Sequence, residues 1–218
     1  MVMGLFWSFV DNLFGQGLNF TFGLVLARLL SPKEFGLMGM MAVFIAVAQV
    51  LIESGFVQAL VRKEKCTTED YSTVFFFNIF TSFFIYFILF ISSNSIAIFF
   101  DEPTISNLLK ILCLSIILDS FSIVQRTILI RKIDFKTQTR VSIISSFTSG
   151  LVALYLAVNG FGVLSLVYLV ISRSLVSNLL LWGIVKWVPI FTFSKESFKS
   201  LFSFGSKLLV SSLFNTLF

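Results

Sequence analysis

Six stretches of about twenty residues run almost without charge, and that feature restricts the chain more than any other. They fall at approximately 5–27, 37–60, 73–93, 105–127, 141–158 and 162–184, and a seventh opens at 203. About 20 consecutive apolar residues is the length a helix needs to cross the hydrocarbon of a bilayer. In lipid every backbone N–H and C=O must be paired internally, so only helices and closed barrels can span. Barrel strands alternate apolar and polar residues over about 10 positions. "FFIYFILFI" (83–91) and "SIISSFTSGLVALYLAV" (142–158) do not alternate. The expected fold is an all-α membrane protein, a polytopic helix bundle.

Composition agrees. Of 218 residues 57% are hydrophobic and 12% charged, where a soluble domain carries about twice that charge. The net charge of +5 raises the question of nucleic acid, but the basic residues sit in short loops between apolar runs. There the anionic lipid surface is the better partner, and no nucleic-acid partner is expected. The absence of His removes His-based metal sites and His proton relays. Cys66 lies in a polar loop and Cys113 in an apolar run, which does not suggest a pair. No metal and no cofactor are expected. The first run has neither a basic flank nor a small-residue cleavage site, so it reads as a span and not a cleaved leader.

The loops predict orientation. Loop 61–71 carries Arg62, Lys63 and Lys65; loop 128–140 carries Arg131, Lys132, Lys136 and Arg140; loop 185–202 carries Lys186, Lys195 and Lys199. On the other side "LSPKE" (30–34) adds Arg28 and Lys33, while "DEPT" (101–104) and "NGFG" (159–162) have no basic residue. Ten against two places the first side, and the N-terminus, in the cytoplasm. The 95–100 stretch, "SIAIFF", reads as interfacial.

Polar residues recur inside the spans at helical spacing. Asn12, Gln16, Asn19 and Gly23 share one face of the first, with Asp11 beside it. Ala42, Ala46, Gln49 and Glu53 form a stripe in the second, and Ser115, Asp119, Ser122 and Arg126 in the fourth. Asp119 and Arg126 are about two turns apart, too far for a tight pair. Two readings stand for the amides: hydrogen-bonded glue between helices or the lining of a substrate path. Arg126 can snorkel to an interface, and Glu53 can pair elsewhere. Arg173 lies near the middle of the sixth span with no carboxylate in its own helix. A charge there needs a partner or a wet lumen, and a guanidinium suits phosphate. An anionic substrate follows. No Gly-rich phosphate loop and no paired carboxylates appear, so no enzyme is expected.

The first span opens "FWSFVDNLF" (6–14) and the last "LFSFGSKLL" (201–209), which suits a transporter assembled from parallel repeats. The stretches "LARLLSPKEFGLMGMMAVFIAVAQVLIESGFVQALVRK" (26–63), "STVFFFN" (72–78), "IVQRTILIRKIDFK" (123–136), "GFGVLSLV" (160–167) and "LFSFGSKLLVSSL" (201–213) resemble, in order, the polysaccharide-specific transporters. These are the Wzx-type flippases of the MATE-like superfamily, and the WzxC-like lipopolysaccharide and colanic-acid branch is most similar. That resemblance implies two pseudo-symmetric lobes, with 1–200 as the N-terminal six-helix lobe and 201–218 as the start of helix seven. It also implies transport of undecaprenyl-diphosphate-linked oligosaccharide across the bacterial inner membrane. The implied partners are that lipid-linked sugar, membrane lipids and other polysaccharide-assembly proteins. The residues expected along the path are Arg173, Arg28, Arg126, Glu53, Asp119, Asn12, Gln16, Asn19 and Gln49. A drug or cation antiporter of the same superfamily, with a carboxylate-centred lumen, is the alternative within transport. A non-transporting scaffold is the alternative outside it.

Overall fold

The computed structural model describes residues 2–53, 55–202 and 205, with side chains for 15–52, 55–202 and 205. The fold is all-α, with no strand among the described residues. Helix α1 (Val2–Leu29) is followed by α2 (Pro32–Glu53) and a short α3 (Phe56–Arg62) that continues the same span. Next come α4 (Thr68–Phe99), then α5 (Thr104–Leu112), α6 (Leu114–Ser120) and α7 (Ile123–Arg131), which together replace one straight span. α8 (Phe135–Val158) and α9 (Leu164–Val185) complete the bundle. Four spans are long and apolar enough to cross a membrane, and the bent α5–α7 set makes a fifth. α1, at 28 residues, has the length of a sixth. In those first four, only 28–39% of the most apolar stretch is buried within the protein. The rest suits a hydrocarbon surrounding, since a soluble monomer does not leave that much contiguous apolar surface bare.

Local chemistry starts the helices where they start. At the head of α2 the Ser31 amide and hydroxyl donate to Glu34 Oε2 at 2.6 and 2.9 Å. Pro32 follows at the first helical position, where its missing N–H costs nothing. Thr67 and Asp70 form a reciprocal capping box on α4, and Asp134 Oδ1 accepts from Thr137 N at 3.1 Å on α8.

The 95–100 stretch, read as interfacial, is the helical end of α4, which runs on through Phe99. One expectation needs correction. The fourth span is not one helix: α5–α6 and α7 meet at 41° across Phe121 and Ser122. Serine hydroxyls turned back onto their own helix mark the segment. Ser115 donates to Leu112 O at 2.7 Å, Ser120 to Ile117 O at 2.7 Å and Ser122 to Asp119 O at 3.0 Å. Such back-bonding bends helices. α9 then satisfies carbonyls at the bend. Asn178 Nδ2 donates to Leu118 O at 2.7 Å, and Trp182 Nε1 to Phe121 O at 3.0 Å.

The bundle has two chemically distinct ends. At one, Lys33 pairs with Glu102 at 2.6 Å, and Gly162 of the α8–α9 turn lies against Glu34. At the other, Arg131 donates to the carbonyls of Leu60, Lys63 and Glu64, and Lys63 pairs with buried Asp70 at 2.7 Å. Segment 187–194 is tied to the same end by Ile190 N to Ser72 Oγ (3.0 Å) and Ser194 N to Thr73 Oγ1 (3.1 Å). The three basic loops therefore share one end. Packing follows side-chain size. α8 lies closest to α1 and α9 through Gly150, Ala153 and Ala157, and Phe22 of α1 sits directly over Gly150. Small residues let helices approach in this way.

Candidate functional site

Five helices converge on a cavity in the middle of the bundle. α2 supplies Gln49, α6 Asp119, α7 Arg126, α8 Gln138, Ser142 and Ser145, and α9 Arg173, Ser174 and Ser177. This compartment measures about 330 Å³. A second, of about 320 Å³, adjoins it and shares Gln49, Asp119, Arg126 and Gln138 as a common wall.

Asp119 and Arg126, seven positions and about two turns apart, face one cavity from the two sides of the α6–α7 bend. The expectation that they form no tight ion pair agrees with the geometry. Asp119 instead faces Ser174 and Gln49 at the cavity wall, with Arg126 and Arg173 acting on it through charge. Arg126 Nη2 donates to Ser177 Oγ at 3.2 Å, and Arg173 Nη1 to Asn19 Oδ1 of α1 at 3.3 Å. The cavity thus carries two guanidiniums against one carboxylate, among serine hydroxyls and side-chain amides. Gln138 Oε1 is buried and has no hydrogen-bond partner among the described residues. An orphaned acceptor at a cavity wall is a place for a donor on a ligand.

Of the residues expected along a path, Arg173, Arg126, Asp119 and Gln49 line the cavity, and Asn19 touches it through Arg173. Gln16 is exposed on α1 beyond the lining. Arg28 is exposed at the C-terminal end of α1 and does not line it. The side chains of Asn12 and Glu53 lie outside the described residues. Ser115 and Ser122, expected on the Asp119 face, are buried and spend their hydroxyls on backbone carbonyls. Gln138, Ser142, Ser145 and Ser174 are contributors that span-by-span reading missed. The signal for α8 was present, because 138, 142 and 145 follow the i, i+4, i+7 spacing of one helical face. No cluster of three metal-ligating side chains occurs among the described residues.

The match to known proteins agrees with this architecture. The succinoglycan biosynthesis transport protein ExoT of Rhizobium meliloti (strain 1021) is 29% identical over 201 residues, covering 91% of this chain and 41% of ExoT. The teichuronic acid biosynthesis protein TuaB of Bacillus subtilis (strain 168) is 30% identical over 176 residues, 78% of this chain and 36% of TuaB. The lipopolysaccharide biosynthesis protein WzxC of Escherichia coli (strain K12) is 24% identical over 116 residues, 53% and 24% of the two chains. The chain spans less than half the length of these relatives. No solved structure matches it. Residues 25–218 match the family described as "Polysaccharide biosynthesis protein", and this multi-pass membrane chain belongs to that family.

Proposed function

We propose that this chain is the N-terminal, six-helix part of a transporter that carries lipid-linked oligosaccharide, joined through a diphosphate, from the inner to the outer leaflet of the bacterial cytoplasmic membrane. In this reading residues 1–200 form one lobe, 201–218 open the next, and the basic end faces the cytoplasm. The observation that carries it is the cavity itself: Arg126 and Arg173 against the carboxylate of Asp119, among Ser, Gln and Asn side chains and the aliphatic Val141, Leu169, Val170 and Leu181. A diphosphate crossing the bilayer cannot be buried unpaired, and a guanidinium pairs with it in a fork. Hydroxyls and amides offer sugar hydroxyls both donors and acceptors. ExoT and TuaB, named for transport or biosynthesis of polysaccharides, support the same substrate class. No covalent step is required of the protein, which binds, shields and reorients its cargo.

The test is Arg173→Ala in the native gene. Export of the polysaccharide should fall at least tenfold while the protein still reaches the membrane in normal amount. Arg173→Lys should recover only part of it, since an ammonium keeps the charge and loses the fork. Normal export by Arg173→Ala would remove the assignment. An antiporter of cations is the second reading, favoured by Asp119 at the cavity wall. It is separated by the effect of Asp119→Asn on cation binding described below.

A further inference from the structure

Beyond the shared wall, the two compartments differ in where their hydroxyls lie. One combines Ser142, Ser145, Ser174, Ser177 and Arg173 with the aliphatic Val141, Leu169, Val170 and Leu181. The other is lined by Ile52 and Val57 from α2–α3 and by Ile116, Ile123 and Ile130 from α6–α7. Thr127 joins that second set, but its hydroxyl is spent on Ile123 O at 2.8 Å. The wall between them holds Asp119, Arg126, Gln49 and Gln138. The serine hydroxyls therefore lie on one side of the charged wall, and the other side is aliphatic apart from Thr127. Close-packed interiors leave few voids larger than a water molecule, and a void of about 320 Å³ with a charged wall and an aliphatic side is in the size range of a ligand pocket.

We propose that the aliphatic compartment between α2–α3 and α6–α7 seats the first isoprenoid units of the lipid carrier, with the diphosphate at the shared wall and the sugar among the serines. This rests on the transport reading above and adds to it. The order of a polyprenyl-diphosphate-sugar, apolar then anionic then hydroxylated, matches the order of the lining. On this account the carrier's chain does not stay wholly in bulk lipid while the head group crosses. Its beginning travels inside the protein.

The experiment compares two probes on the native gene product, purified in detergent: inorganic diphosphate and farnesyl diphosphate. Wild type should bind farnesyl diphosphate tighter than diphosphate by on the order of tenfold or more, as burying even single methylenes in an apolar pocket gives factors of that size. Ile130→Ser, which makes the compartment polar, and Val57→Phe, which fills it, should each remove that preference and leave diphosphate affinity unchanged. Gly39→Ala, which lies outside both compartments, should leave the preference intact. Both substituted residues of the aliphatic arm are only partly buried, and Val57→Phe keeps the lining apolar. A photoreactive prenyl diphosphate should in addition crosslink to residues of α3 and α7 in the unaltered protein. A preference that persists in both variants, or a wild type with no preference, overturns this proposal and leaves the transport reading standing. Failure of wild type to bind either probe overturns both.

Discussion

Asp119 meets two guanidiniums across the cavity, and its nearest polar neighbours besides them are the neutral Ser174 and Gln49. It therefore holds the site at a net charge of one and competes with any incoming anion for Arg126 and Arg173. Asp119→Asn keeps the shape and an acceptor oxygen and removes the charge. A unit charge several ångströms away at an effective dielectric near 20 is worth about 2 kcal/mol before screening. Inorganic diphosphate should then bind Asp119→Asn more tightly, by on the order of tenfold, and Arg126→Gln more weakly by a similar factor. Titration calorimetry on the purified native gene product reads both. A lumen built for cations binds a cation in wild type and loses that binding in Asp119→Asn, whereas the anion-carrying lumen shows no cation binding to lose. Arg173 was legible from sequence because a mid-span arginine has so few physical solutions. Gln138 was not, because an amide near a helix start reads equally well as solvated.

At the scale of elements, apolar length found α2, α4, α8 and α9, and interruptions inside apolar runs escaped it. Hydropathy averages over a window. It cannot register a bend whose carbonyls are capped by Asn178 and Trp182, some sixty positions away. The same holds at the α2–α3 junction, where Gly55 has φ 68° and stands at the head of α3. A Cβ at Gly55 would meet the backbone of Gly205, with Cα at 2.8 Å and the carbonyl carbon at 2.9 Å. Backbone cannot swing aside as a flexible side chain does, and a left-handed conformation already costs an L-residue about 1–2 kcal/mol. Gly55→Ala should lower thermal stability by at least that amount, seen as an earlier loss of the monodisperse peak on heating. Gly39→Ala is the control: a Cβ there meets nothing within 4 Å, and its melting should be unchanged or slightly raised. Equal behaviour of the two variants would mean that Gly55 and Gly205 do not touch.

The whole molecule has one end rich in lysine and arginine and one end closed by short turns. The contacts of Arg131 with the 60–64 segment, and of segment 187–194 with the start of α4, gather the basic loops at the first end. The Lys33–Glu102 pair and the Gly162–Glu34 contact gather the remaining loops at the other. The bias of positive charge towards cytoplasmic loops predicts that the first end faces the cytoplasm, as the proposed function requires. The two cysteines complicate a labelling test and also inform it. Cys113 is buried within a span. Cys66 is half-buried at the basic end; burial pushes its thiol above the ordinary range, Asp70 pushes the same way, and Arg131 and Lys63 pull it partly back. Less thiolate is present at neutral pH than on a free cysteine, so Cys66 should react slowly with maleimide there and faster as pH rises. In a protein with both native cysteines replaced, Lys132→Cys and Asn159→Cys put single exposed thiols at opposite ends. A membrane-impermeant maleimide applied to whole cells should modify position 159 and spare 132 until the inner membrane is opened. The reverse pattern would invert the molecule. The basic wall of the cavity would then receive its cargo from outside, and export would lose its physical basis.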